Sequence, residues 1–370
     1  SQTNQTLLPT IEAQPFPPHI PLSFSQERLW FIDKLEGSVQ YHVPFVLDLK
    51  GVVDTEALEY TLRSIVNRHE VLRTVFKEHD GQVYQYVKDK DQWQLRITDN
   101  RTDQRDVAAL QQHIQQLIAA PFDLANDDVL RAHLISLSHQ QNVLVITIHH
   151  IASDGWSLSI IAKELAEFYS SYKKQIEARV APLKIQYAHY ALWQRKYLEG
   201  KILDSKLEYW KQKLAGVAPL QLPTDYQRPA VQSGRGALMS FTINKSLSEK
   251  LEGLRKQQDA TLFMTLLSAF KVLLYRYTGQ NDICVGSAIA GRQQQEVEDL
   301  VGFFVNTLAL RTEISGKNSF VDLLQHVRAT TLEAYNHQEA PFEKVVEAVV
   351  KERDLSRTPL FQVMFVLQNT

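Results

Sequence analysis

Two adjacent histidines and an aspartate, in His149-His150-Ile151-Ala152-Ser153-Asp154-Gly155, are the residues of this chain best suited to proton chemistry. An imidazole accepts and returns a proton near neutral pH, and a neighbouring carboxylate can orient it or hold a cation. The motif ends an apolar run, Val143-Leu144-Val145-Ile146-Thr147-Ile148, which reads as a strand. Behind it Leu158, Ile161, Leu165, Phe168 and Tyr172 recur at helical spacing. Successive strand side chains point to opposite faces, so both histidines cannot enter one site. One is chemical and the other structural. Asp154-Gly155 is expected to make the tight turn between strand and helix, with Gly155 free to take a positive φ.

Other chemistries fit less well. Gly155-Trp156-Ser157-Leu158-Ser159 lacks the final glycine of a serine-hydrolase nucleophile elbow. His150 and Asp154 have no evident third partner for a metal. Gly234-Arg235-Gly236 is a lone glycine pair in a linker, unsuited to cradling phosphate. Cys284, the single cysteine, sits in apolar Ile283-Cys284-Val285 and reads as a small hydrophobe. An aspartate beside a catalytic histidine commonly needs a cationic partner, and Arg68, Arg73 and Arg292 lie near turns or element ends.

The chain that must position these residues has 370 of them, 44% hydrophobic and 22% charged, enough for two cores. A formal net charge of -2 provides no basic field for nucleic acid or anionic lipid. One cysteine allows no intrachain disulfide, which fits a reducing cytoplasm. No segment approaches the ~20 apolar residues of a membrane span, and the first residues, which lack a basic region before an apolar core, are not expected to be a secretory signal. Residues 1–20, polar and then proline-rich, read as a linker.

Asp54 is expected to cap a helix with Leu58, Leu62, Ile65 and Val66 on one face, before a hairpin turned at Asp80-Gly81. A helix near Val107 to Ala119 and a strand over Val129 to Leu137 precede the histidine strand. The first half is therefore a sheet with helices against it. Leu183 to Leu214 reads as helical and aromatic-rich, and Pro219 to Gly236 as an exposed linker. A strand over Ala237 to Ile243, a capping box at Ser246 and Glu249, a buried helix over Thr261 to Tyr277, and strands over Ile283 to Ile289 and Phe303 to Arg311 complete the reading.

Several separated segments together resemble the condensation domain of nonribosomal peptide synthetases, within the chloramphenicol acetyltransferase-like superfamily. They are Ser25-Gln26-Glu27-Arg28-Leu29-Trp30-Phe31, Arg68-His69-Glu70-Val71-Leu72-Arg73-Thr74-Val75-Phe76, and the His149 to Gly155 motif with Trp156-Ser157. Further on come Gly302-Phe303-Phe304-Val305-Asn306-Thr307, His337-Gln338 with Pro341-Phe342-Glu343, and Arg353-Asp354-Leu355-Ser356-Arg357-Thr358-Pro359-Leu360-Phe361. They stand in the family's order from about Pro21 onward. His189 and Glu339 replace aspartates usual in the family. The family normally continues beyond Thr370, so the last lobe is expected to be truncated.

The resemblance implies an α/β fold of the α+β type, with two acetyltransferase-like lobes as a V-shaped pseudo-dimer. The expected divisions are an N-terminal linker (1–20), a first lobe carrying the histidine motif (21–182), connecting helices and linker (183–236) and a second lobe (237–370). The histidine turn is expected to face a cleft between the halves. The implied reaction is attack of a carrier-bound acceptor amine on a carrier-bound donor thioester, forming an amide. His150 would be catalytic, as base or as positioner of the amine. The implied supporting residues are His149, Asp154, Gly155, Trp156, Asn306 and an arginine paired with Asp154, Arg292 before Arg68. No metal or bound cofactor is implied; phosphopantetheine arms arrive on donor and acceptor carrier domains, beside adenylation domains, in a monomeric cytoplasmic module. Ester formation and non-catalytic docking of carriers or tailoring enzymes are the alternatives.

Overall fold

The structure, a computed structural model, describes residues 8–99, 107–231, 236–351, 354 and 356–368. Gly234, Arg235, Arg353 and Leu355, singled out above, lie outside these residues, as do residues 1–7 of the expected linker. The chain divides into two compact units: Ser1–Tyr197 with Arg292–Phe304, and Leu198–Gly291 with Val305–Thr370. Helices and sheets are mixed in both.

In the first unit the elements run β1 (Ile20–Pro21), α1 (Phe24–Glu36), β2 (His42–Lys50), α2 (Thr55–Arg68), β3 (Thr74–His79), β4 (Gln82–Val87), β5 (Arg96–Asp99), α3 (Val107–Ala119), β6 (Leu130–Ser138), β7 (Gln141–His149), α4 (Gly155–Lys174) and α5 (Tyr187–Tyr197). Asp54 caps α2 by accepting from the Ala57 amide at 3.0 Å. Asp80 and Gly81 both take positive φ in the two-residue turn from β3 to β4, the conformation that matches strand twist.

Among the described residues one sheet has the order β2-β7-β6-β5, with β7 antiparallel to both neighbours. Alternation sorts the apolar residues of β7. Leu144, Ile146 and Ile148 join the main core with Leu62, Ile65 and Phe168, whereas Val143 and Val145 pack with Ile135 against Leu110, Ile114 and Ile118 of α3. The strand is thus buried on both faces, which fixes where its C-terminal histidines emerge.

Residues 8–20 are not a free linker. Ile11 and Ile20 are buried, the Pro9 carbonyl accepts from Trp193 at 2.9 Å, and β1 pairs with β4. Proline fixes the backbone of this stretch, so it docks with little loss of freedom.

The second unit contains α6 (Lys201–Leu214), α7 (Lys245–Gln257), α8 (Leu262–Thr278), β8 (Asp282–Ile289), β9 (Asn306–Glu313), α9 (Phe320–Tyr335) and α10 (Phe342–Val349). β8 and β9 are antiparallel, from Asp282 opposite Glu313 to Ile289 opposite Asn306. The strand expected over 237–243 is absent. Its residues alternate suitably, but no described strand pairs with them, and Leu238, Met239 and Phe241 are exposed. Asn244, rather than Ser246, caps α7, because its side chain accepts from the Leu247 amide at 2.9 Å.

Candidate active site

β7 delivers His149 and His150 to opposite environments. His149 is wholly buried, and its Nδ1 accepts from the Ile151 amide at 3.0 Å. That leaves Nε2 to carry the proton toward Ser38 Oγ, 2.8 Å away. Burial, with nearby His42, His150 and Arg131 adding positive charge, holds the imidazole down at about 3, so it is neutral at physiological pH. His150 is half-buried, with its ring edge-on to Phe303 at 4.7 Å. Its Nδ1 is enclosed and has no hydrogen-bond partner among the described residues. Nδ1 is thus closed to a reactant, which leaves Nε2 as the ring nitrogen that one could reach.

The turn after His150 is a short 3₁₀ segment, His150–Ala152, followed by Asp154 as N-cap of α4. Asp154 Oδ1 accepts from the Ser157 amide at 2.9 Å and lies 2.7 Å from the Ser157 hydroxyl. Arg292 Nη2 donates to Oδ1 at 3.0 Å and Oδ2 at 3.3 Å, and the Phe304 amide donates to Oδ2 at 3.1 Å. The carboxylate and guanidinium side chains are 1% and 2% exposed, so the pair is out of solvent. Arg292 also donates through Nη1 to the carbonyls of Val297 and Leu300, and its guanidinium stacks on Phe304 with 4.1 Å to the ring centroid.

Ser157, which the sequence reading did not single out for this role, completes the node. Its hydroxyl accepts from the Gly302 amide at 3.1 Å and lies 3.0 Å from the Gly302 carbonyl. Tyr187 donates to the Phe303 carbonyl at 2.6 Å. Gly302 has no space for a side chain: an added Cβ would lie 2.1 Å from Tyr187 Cδ2. The signal available in sequence was Asp154-x-x-Ser157 at the start of a helix, the spacing of an N-cap and its N3 residue.

Other candidates lie elsewhere or act differently. Gly155 does not take a positive φ; it is the exposed first residue of α4, and an added Cβ would meet nothing within 4 Å. Asp154 itself makes the turn by capping. Arg68 is not a partner of Asp154. It ends α2, which packs on α4, so it reaches the buried Glu164, bonding Oε1 at 2.7 Å while His69 Nε2 lies 2.9 Å from Oε2. Burial pushes the Glu164 carboxyl up, yet His69 and Arg68 together hold it below its usual value. Arg73 pairs with Glu70. Asn306 belongs to the second unit, where its amide clamps a loop: Nδ2 donates to the Gln338 and Ala340 carbonyls at 2.8 Å each, and Oδ1 accepts from Phe342 at 3.1 Å. Those bonds use both Nδ2 donors and one lone pair of Oδ1. Trp156 is half-exposed and donates to the Glu298 carbonyl at 2.9 Å. Cys284 is buried, and burial pushes its thiol up to about 12, which suits packing rather than attack.

Among the described residues no three histidine, cysteine, aspartate or glutamate side chains cluster so as to hold a metal ion. No described helix is long and apolar enough to cross a membrane.

Residues 18–370 match the condensation domain family. Two linear gramicidin synthase proteins of Brevibacillus parabrevis are 47% and 48% identical to this chain, over 97% and 95% of its length respectively. This chain spans only 5% and 7% of those two proteins. Among solved structures, the X-domain in complex with OxyB from teicoplanin biosynthesis is similar with a TM-score of 0.88 and 28% identity, covering 96% of this chain and 79% of that one. A four-domain nonribosomal peptide synthetase bound to AMP and glycine matches with a TM-score of 0.83 and 27% identity, over 99% of this chain and 28% of that one. The fold is that of the chloramphenicol acetyltransferase-like superfamily, and with the match running from residue 18 to residue 370, the chain belongs to the condensation domain family.

Proposed function

We propose that this chain forms amide bonds between substrates carried as thioesters on phosphopantetheine arms of a donor and an acceptor carrier domain, with His150 as the catalytic residue. The observation that carries the reading is a half-buried His150, its Nδ1 enclosed, on a turn locked by the buried Asp154–Arg292 node. A free α-amine has a pKa of about 7.7–8.0, so a useful fraction is neutral and nucleophilic near pH 7. Its nitrogen attacks the thioester carbonyl carbon and becomes strongly acidic in the tetrahedral adduct. His150 Nε2 accepts that proton; the C–S bond then breaks, and the departing thiolate takes the proton from the imidazolium, which leaves the carrier thiol and restores neutral His150. The thioester supplies the driving force, so the scheme needs no nucleotide. The two units are the two acetyltransferase-like lobes, and the adjacent adenylation domains load the carriers in a cytoplasmic assembly.

A single-turnover assay with donor- and acceptor-loaded carrier proteins tests this. His150→Ala should lower transfer by about 10²–10⁴-fold with an unchanged circular dichroism spectrum. Wild-type transfer by His150→Ala would refute the assignment and favour a second reading, docking of a partner protein without catalysis. The likeness to the X-domain solved in complex with OxyB supports that alternative.

A further inference from the structure

We propose that Asp33 and Ser38 are positioning residues that act through His149 to hold the turn presenting His150. The inference rests on the reading of His150 as the catalytic group. The direction of the hydrogen-bond chain follows from its one unambiguous member. The Ile151 amide is only a donor, so His149 Nδ1, 3.0 Å away, is an acceptor and the ring proton sits on Nε2. Nε2–H then donates to Ser38 Oγ at 2.8 Å, which obliges the serine to send its own proton elsewhere. Asp33 Oδ1, 2.5 Å from Ser38 Oγ, receives it. Asp33 lies in α1 and Ser38 just past the Gly37 cap of that helix, so the α1 end supplies the acceptor chain that favours the same tautomer, in a histidine 111 residues from Ser38.

The tautomer matters because Ile151 is the residue after His150. With the proton on Nδ1, two donors would face each other across 3.0 Å, and the 3₁₀ turn His150–Ala152 would lose its anchor to the end of β7. Protonating both ring nitrogens would do the same, in keeping with the neutral state of the buried ring. Neither Asp33 nor Ser38 bonds to His150 itself. Their effect on it passes through the backbone.

Asp33→Ala is the informative variant, since Asp33 is only half-buried and the fold should tolerate its loss. It lets the Ser38 hydroxyl turn and donate to His149 Nε2, favouring the Nδ1–H form. Nitrogen-15 NMR of the ring in the full 370-residue chain should show Nε2–H in the wild type and a shift toward Nδ1–H in Asp33→Ala. Transfer between loaded carriers should fall about ten- to a hundredfold in kcat with KM unchanged, and Asp33→Asn, which keeps an acceptor oxygen, should recover most of it. A wild-type ring with the proton on Nδ1, an Asp33→Ala ring with unaltered tautomer, or wild-type kcat in Asp33→Ala would each overturn the inference. Absence of transfer in the wild type would instead count against the functional reading, and the ring signals would still judge the hydrogen-bond chain.

Discussion

Arg292 in the first unit and Lys271 in the second are both buried cations, and they are held in opposite ways. Arg292 faces the Asp154 carboxylate and donates to two further carbonyls, so charge meets charge. Lys271, fully buried in α8, reaches neutral oxygens: the Leu310 carbonyl at 2.6 Å, Thr312 Oγ1 at 2.7 Å and the Ile283 carbonyl at 3.5 Å. Burial pushes its ammonium down to about 7, whereas a guanidinium stays protonated throughout the physiological range. The first arrangement fixes geometry through a pair of opposite charges held out of solvent. The second braces β8 and β9 with a group whose charge is conditional.

The sharpest way to break the contrast is Asp154→Ala. It strands the Arg292 guanidinium and removes the cap of α4, and losing one partner of a buried pair commonly costs about 3–5 kcal/mol. Denaturant unfolding should show a loss of that size, with transfer reduced as well. Unchanged stability would mean that the pair does not hold the turn.

Gly302→Ala probes the same node through its packing. A Cβ 2.1 Å from Tyr187 Cδ2 forces the ring or the 302–304 backbone to move, at a cost of about 1–3 kcal/mol. Thermal melting measures it, and a crystal structure should show Tyr187 Oη displaced from the Phe303 carbonyl. Wild-type stability would show that the ring shifts freely.

Lys271→Met should act in the reverse sense and most gently. Between pH 7 and 10.5 the unfolded chain holds a proton that the folded chain sheds, so this lysine makes stability rise with pH across that window. Removing the group should raise Tm at pH 7 by about 2–4 °C, and the gain should shrink toward pH 10. A destabilised Lys271→Met, or a gain independent of pH, would show that the ammonium bonds outweigh its burial.

Local chemistry was the most legible part of the sequence. Asp54 before a helical face and Asp80-Gly81 between alternating strands are signals written within a few residues, and the structure contains both the cap and the turn. Segments matched to a known family led to Arg292 beside Asp154, a pairing that spacing alone left among three arginines. What escaped was decided by partners distant in the chain. Arg68 and His69 converge on Glu164 because α2 packs on α4, and residues 237–243 stay unpaired because an alternating pattern cannot supply its own neighbouring strand. Asn306 sits in a motif and was read for chemistry, yet it ties a loop more than thirty residues later.

The segment Arg292–Phe304 packs with the first unit although the chain has by then built most of an α8–β8 layer of the second. Asp154 therefore waits 138 residues for its cation. At roughly 5–20 residues per second a ribosome takes roughly 7–28 s to supply them. Throughout that interval the nascent first unit carries a carboxylate with no guanidinium beside it and no Phe304 amide. The local bonds of the histidine turn, from Ile151 to His149 and from Ser157 to Asp154, can form before that delay ends, whereas the charge pairing that removes Asp154 from solvent comes only after it.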